Sequence, residues 1–263
     1  MFSDLALAKR LERTEASAGA AFVEARGARA AWTEIAGAYA MFDGVDSPLS
    51  QTFGLGMFEP ATDTALTQIE EFFQARGGAV HHEVCPLAGV ALSRSLAERG
   101  YVPCEMSNVL YWELPKADTL LIPVGAMTVR VAGPEDLPEY AAAAQAGWSE
   151  AGEVAHLIAD LTQVMFAATG YVGFMVRQAG KTIATAGLVI HDGVALLAGA
   201  STIPEARGQG AQRKVLAARL QYAASAGCDL AMFVAEPGSA SQRNAERSGF
   251  HIAYTRTKWR RSA

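Results

Sequence analysis

Residues 194–223 read Val-Ala-Leu-Leu-Ala-Gly-Ala-Ser-Thr-Ile-Pro-Glu-Ala-Arg-Gly-Gln-Gly-Ala-Gln-Arg-Lys-Val-Leu-Ala-Ala-Arg-Leu-Gln-Tyr-Ala. The apolar run Val194–Ala200 has the length and composition of a buried strand. A bend with a proline follows at Ser201-Thr202-Ile203-Pro204, then Arg207-Gly208-Gln209-Gly210-Ala211-Gln212. A helix takes over at once, with Val215, Leu216, Leu220, Ala223 and Ala224 on one apolar face. Glycines between a strand and a helix let the backbone turn sharply and let a ligand approach it. The first helical turn has free N–H groups and the positive end of the helix dipole. Together they suit an anion such as phosphate, and Arg207, Arg213 and Lys214 add full charges nearby. The plainer alternative is a tight turn that binds nothing.

Two common phosphate loops are excluded. The stretch has no G-x-x-x-x-G-K-S/T, so it is not a nucleoside-triphosphate loop. It lacks the third glycine and the acidic ribose partner of a dinucleotide fingerprint. It resembles the acetyl-coenzyme A loop of the GNAT acetyltransferases, whose pattern is R/Q-x-x-G-x-G/A. Arg207 fills the first position and Gly210 the fourth. Gln212 stands at the sixth, a departure from the usual Gly or Ala. The resemblance implies that Arg207, Gly208, Gln209, Gly210, Ala211 and Gln212 cradle the pyrophosphate of acetyl-CoA. It also implies that the pantetheine arm lies along Ser201, Thr202 and Ile203.

Composition sets the frame. The chain has 263 residues, a net charge of −5 and 51% hydrophobic residues. That length supports one large domain or two small ones, each with a core. Mild acidity argues against nucleic acid as partner. Cys85, Cys104 and Cys228 are scattered and odd in number, which reads as reduced thiols of a cytoplasmic protein. The start lacks a basic segment followed by an apolar run, and no stretch is long enough to span a bilayer, so no signal peptide and no membrane partner are expected.

In chain order, 3–25 predicts a helix, 30–42 and 52–58 strands, 62–75 a helix, 79–85 a strand, 90–99 a helix and 101–114 one or two strands. Pro115 to Gly125 reads as a linker punctuated by prolines. Residues 1–118 hold 9 basic and 16 acidic side chains, net −7, and the remainder 13 and 11, net +2. The second half is therefore the better host for an anionic cosubstrate. Beyond the linker come a strand (127–132), a helix opening at Gly133-Pro134-Glu135-Asp136 and a helix over 154–168. Two strands over 171–177 and 182–190 follow, with turns at 178–181 and 191–193, and then the central strand, bend and helix. A strand (230–235), a helix (239–247) and a strand (252–259) close the chain. This is the full GNAT element order, so the expected fold is a mixed α/β sheet of GNAT type.

The first half echoes the second. Leu96-Ala97-Glu98-Arg99-Gly100-Tyr101 answers Asn244-Ala245-Glu246-Arg247-Ser248-Gly249-Phe250 within a similar order of elements. The chain thus resembles a tandem GNAT protein: a shortened, degenerate copy over 1–115, a linker over 116–126 and a complete copy over 127–263. In the first copy the loop position is Glu59-Pro60-Ala61-Thr62-Asp63, with no glycine pattern, and Asp63 would repel phosphate. One acetyl-CoA site is expected, in the second copy.

Acetyl transfer to an amine needs a held thioester, a neutral amine, a site for the oxyanion and a proton for the thiolate. The family's usual acid is a tyrosine four residues before the final Gly-Phe, and here that residue is Ala245. Ser241, Arg243 and Asn244 share the helix; the latter two are candidates for the cofactor arm, and Ser241 for relaying a proton. Glu236, at a strand end, is the best-placed base, ahead of Glu150 and His191. Each is equally readable as an ordinary surface or capping residue. His81 and His82 point to opposite faces of a strand and cannot readily share a metal, and His156 and His251 have no partners in spacing, so no metal is expected. Tyr140 and Trp148 could line an acceptor pocket or simply pack. The resemblance implies an N-acetyltransferase that acts by direct transfer to a small amine, as monomer or homodimer. The rival readings are a non-catalytic acyl-CoA sensor and a purely structural protein with an empty loop.

Overall fold

A computed structural model describes residues 3–150 and 154–261, with the side chains of 154–156 outside the description. In chain order the elements are α1 (Leu5–Arg26), β1 (Ala31–Ile35), β2 (Ala38–Phe42), β3 (Gln51–Phe53), α2 (Asp63–Gln74), β4 (Val80–Val84), α3 (Val90–Glu98), β5 (Val102–Glu113), β6 (Thr128–Val131), α4 (Leu137–Gly147), α5 (Val154–Ala167), β7 (Tyr171–Gln178), β8 (Lys181–His191), β9 (Val194–Thr202), α6 (Ala211–Ser225), β10 (Leu230–Ala235), α7 (Ala240–Arg247) and β11 (His251–Arg261). They form two compact units: Met1–Trp112 with Met232–Ala263, and Glu113–Ala231.

In the first unit the strand order is β1-β2-β3-β4-β11-β5. Asp4 caps α1 by accepting from the Leu7 N–H at 2.8 Å, and the helix buries Leu7, Leu11, Ala18 and Phe22. The segment read as one strand over 30–42 is a hairpin. Ala36 and Gly37 both take positive φ, 49° and 73°, the turn that matches strand twist. Alanine is an unusual residue there, which hid the signal. The strand expected over 52–58 stops at Phe53 because Gly54 (φ 79°) and Gly56 (φ 73°) turn the chain away. β3 and β4 are parallel, joined through α2. Leu66, Ile69 and Phe73 of α2 pack with Leu96 and Tyr101 in one core.

The chain's last strand lies between β4 and β5, antiparallel to both. Arg256 of this strand is buried and gathers carboxylates from two other elements. Its Nη1 and Nη2 donate to Glu15 at 2.7 and 2.9 Å, and its Nε lies 2.9 Å from a Glu83 oxygen. Tyr254 donates to Glu12 at 2.8 Å. The compact units therefore do not follow the boundaries read from the repeat. The repeat puts the boundary at the linker, whereas packing assigns 232–263 to the unit that contains 1–112.

In the second unit the order is β9-β8-β7-β6, all antiparallel. The hairpins turn at Ala179-Gly180 and Asp192-Gly193, each pair with positive φ. An ideal Cβ on Gly173 would lie 3.2 Å from the Tyr140 ring and 3.0 Å from Phe166, so α4 and α5 cover that face. The next residue, Phe174, points the other way and stacks edge-on with Tyr222 of α6. β9 carries one extra residue against β8: Gly187 faces Ala198 but Thr185 faces Ser201, leaving Gly199 and Ala200 opposite Ala186. Gly199 has φ 61°, as bulges of this type require.

Candidate functional site

The bend after β9 is built by two left-handed glycines. Gly208 has φ 75°, and Gly210 has φ 89° and occupies the position just before α6. No side chain caps α6, so the amides of its first turn have no partner of that kind. A Cβ added at Gly208 or Gly210 would meet no atom within 4 Å. The bend is thus open to a ligand at the positive end of a 15-residue helix.

The side chains around it are anchored. Arg207 donates to Glu150 and, at 3.0 Å, to the Gly147 carbonyl, so it braces the end of α4. Gln209 donates to the Glu205 carbonyl at 2.9 Å. Gln212 folds back onto β9, donating to the Ser201 carbonyl at 2.9 Å and the Thr202 hydroxyl at 2.6 Å. The long amide at the departing position therefore does not fill the bend. Ser201 is buried, and its hydroxyl donates to the Ala144 carbonyl at 2.9 Å. The Ile203 N–H is taken by the Ile183 carbonyl at 3.0 Å. The Ser201 and Thr202 hydroxyls and the Ile203 amide are thus engaged within the fold. Ala211 is buried at the start of α6.

The first unit's counterpart differs. Thr62 caps α2 by accepting from the Ala65 N–H at 3.2 Å, so a side chain already occupies that helix end. Asp63 is exposed, 3.5 Å from Arg99.

Glu236, Ser241, Arg243 and Asn244 belong to the first unit. Glu236 follows β10 and is exposed, and Ser241, Arg243 and Asn244 are exposed on α7. Arg243 donates to the Gly238 carbonyl. Ala245 is buried, and α7 carries no phenol, thiol or imidazole. Gln242, passed over in the sequence, holds this turn: its Oε1 accepts from the Gly238 N–H at 2.7 Å and from Asn108 at 3.1 Å. His82 is fully buried with neither ring nitrogen hydrogen-bonded, and burial pushes its pKa down to about 3. His156 lies outside the described side chains. Among the described residues no group of three or more His, Cys, Asp or Glu side chains is placed to hold a metal. Tyr140 is buried, whereas Trp148 is exposed at the end of α4.

A glycine bend feeding an uncapped helix, beside an antiparallel sheet with a bulged strand, defines an α/β domain with an open helix N-terminus. Residues 138–250 match the acetyltransferase (GNAT) family. The fold agrees with solved structures. A GCN5-related N-acetyltransferase from Kribbella flavida covers 94% of this chain and 95% of its own, with a TM-score of 0.67 and 22% identity. One from Sphaerobacter thermophilus covers 85% and 76%, at 0.60 and 16%. A tandem GNAT protein from the clavulanic acid biosynthesis pathway covers 89% and 83%, at 0.59 and 10%. No curated protein matches the sequence. The fold is a mixed α/β fold that matches GNAT structures, a tandem GNAT protein among them.

Proposed function

We propose that the chain is an N-acetyltransferase that passes an acetyl group from acetyl-CoA directly to a primary amine, with a small molecule as acceptor. The observation that carries this reading is the open bend 207–212 inside a GNAT domain. Two left-handed glycines and an uncapped helix end leave amides free for a diphosphate. Gly208 to Gln212 would hold the pyrophosphate through their N–H groups, with Arg213 and Arg207 supplying charge nearby. Ser201, Thr202 and Ile203 are proposed to run beside the rest of the cofactor. Isothermal titration with acetyl-CoA tests the binding step, and thiol release over a panel of amines tests the transfer. An acyl-CoA sensor is the second reading, favoured by the buried alanine at 245. Saturable binding with no thiol release on any amine would select it. Absence of both binding and thermal shift would remove both readings.

A further inference from the structure

Three polar side chains of the second unit have no role in the loop. Arg219, on α6, is 3% exposed. Its Nη1 donates to the Gly187 carbonyl at 3.1 Å, beside the β9 bulge. Its Nε has no hydrogen-bond partner, and it forms no ion pair with a carboxylate among the described residues. Tyr140 and Tyr171 share a hydrogen bond of 2.9 Å between their hydroxyls. The hydroxyl of Tyr171 occupies the space that a Gly187 side chain would take, and lies 3.3 Å from where a Gly199 Cβ would stand.

A buried cation without a counter-charge is expensive, and folds retain one for a reason. Burial pulls the pKa of Arg219 down to about 10, opposed by the two tyrosines. Burial also pushes Tyr171 up to about 12, while the Tyr140 hydrogen bond and the Arg219 charge act in the opposite sense. The guanidinium is thus a standing bias toward negative charge at the tyrosine pair. Gly187 and Gly199 leave room for the Tyr171 hydroxyl at the bulge, one residue before the segment proposed to run beside the acyl arm.

We propose that Tyr171 is the proton donor of the transfer, meeting the reacting group at the β9 bulge, with Tyr140 and Arg219 as its positioning residues; this rests on the acetyltransferase reading above. The amine nitrogen bonds to the thioester carbon and the carbon–sulfur bond breaks. The leaving sulfur takes the Tyr171 proton. The phenolate, balanced by Arg219, then takes the surplus proton from the former amine nitrogen. One amide and one thiol result, and the tyrosine is restored. The Arg219–phenolate attraction exists only while that charge exists, so it lowers the barrier without tightening ground-state binding.

The test uses the full chain as wild type, Tyr171→Phe and Arg219→Met, with circular dichroism as the check on folding. Tyrosine ionisation is followed by ultraviolet absorbance, with and without CoA. The proposal expects one tyrosine whose titration shifts when CoA binds, disappears in Tyr171→Phe, and moves to higher pH in Arg219→Met. With any amine that wild type accepts, Tyr171→Phe should lose kcat by about 100-fold with KM for acetyl-CoA unchanged. Wild-type kcat in Tyr171→Phe, or CoA binding that leaves every tyrosine titration unmoved, overturns the proposal. The tyrosine titration decides the matter if no amine on the panel is accepted, or if Arg219→Met fails to fold. Wild type that does not bind acetyl-CoA overturns the parent reading and this one together, a result distinct from binding without the tyrosine signature.

Discussion

Gly210 makes the narrowest demand of any residue in the bend: φ 89° with ψ 7°, and open space where a side chain would project. Gly210→Val should leave the unit folded, at a backbone cost of about 1–2 kcal/mol. It should weaken acetyl-CoA binding by at least about 100-fold, because the branched side chain projects where the diphosphate would approach the backbone. Titration calorimetry reads the second effect and urea melting the first; unchanged affinity would place the site elsewhere. This residue was legible because glycine between an apolar run and an amphipathic helix has few other uses. Tyr171 and Arg219 were not legible. Each looks like a packing or surface residue until the register of β8 against β9 brings Gly187 and Gly199 beside them. His82 shows the same limit, since no local signal says that its imidazole is sealed in a core against Tyr101, with ring centroids 4.9 Å apart. Its consequence is a pH dependence. The unfolded chain binds a proton near the ordinary histidine pKa of 6.5, and the folded chain only near 3. Stability from His82 is therefore complete above 6.5 and lost as pH falls toward 3, at up to about 1.4 kcal/mol per pH unit. Urea midpoints of wild type and His82→Phe, measured from pH 7 down to 4, should diverge on the acid side in that sense. Parallel curves would show that the imidazole is not sealed.

Strands and helices were readable wherever glycine and proline mark their ends; their partners were not. β11 illustrates the gap. The sequence marks 252–259 as a strand, and nothing in Thr255-Arg256-Thr257-Lys258-Trp259 names the partners of its charges. In the fold, Arg256 is 2% exposed and meets carboxylates of Glu12 and Glu15 on α1 and Glu83 on β4. Pairing partners that lie about 150–240 residues away in sequence leave no local pattern. Arg256→Leu should cost about 3–5 kcal/mol at neutral pH, since it strands three neighbouring carboxylates in the interior. Glu12→Gln in that background should recover part of the loss in urea melts, and no recovery would mean that the cluster is not electrostatically coupled. Glu12 also has a sign of its own. Burial raises its pKa from 4.5 to about 7, ahead of the opposing pull of Arg256. The folded chain then holds the extra proton between those values, so the Glu12 contribution is full below 4.5 and fades as pH rises through 7. It runs against the His82 trend, and the two single variants separate them.

At the scale of the molecule, the sequence repeat and the packing disagree, and β11 is where they part. Element order alone gives two copies meeting at the linker 116–126. Packing instead gives the first unit the chain's last 32 residues, Met232–Ala263. The two copies then cannot be separate folding units. A fragment of residues 127–263 would keep the GNAT loop but strip β11 of β4 and β5, expose both of its edges, and leave Arg256 without its carboxylates. A fragment of residues 1–126 would keep those carboxylates without the arginine and leave unpaired strand edges where β11 belongs, a recognised route to aggregation. Each fragment expressed alone should be insoluble or melt without a cooperative transition. The two expressed together should recover a soluble complex, because the charge cluster and both ladders are complete only when 1–126 and 251–261 are both present. Size-exclusion chromatography and thermal melting of the three samples decide the point. A monomeric, cooperatively melting 127–263 fragment that binds acetyl-CoA like the full chain would show that the repeat, and not the packing, sets the domains.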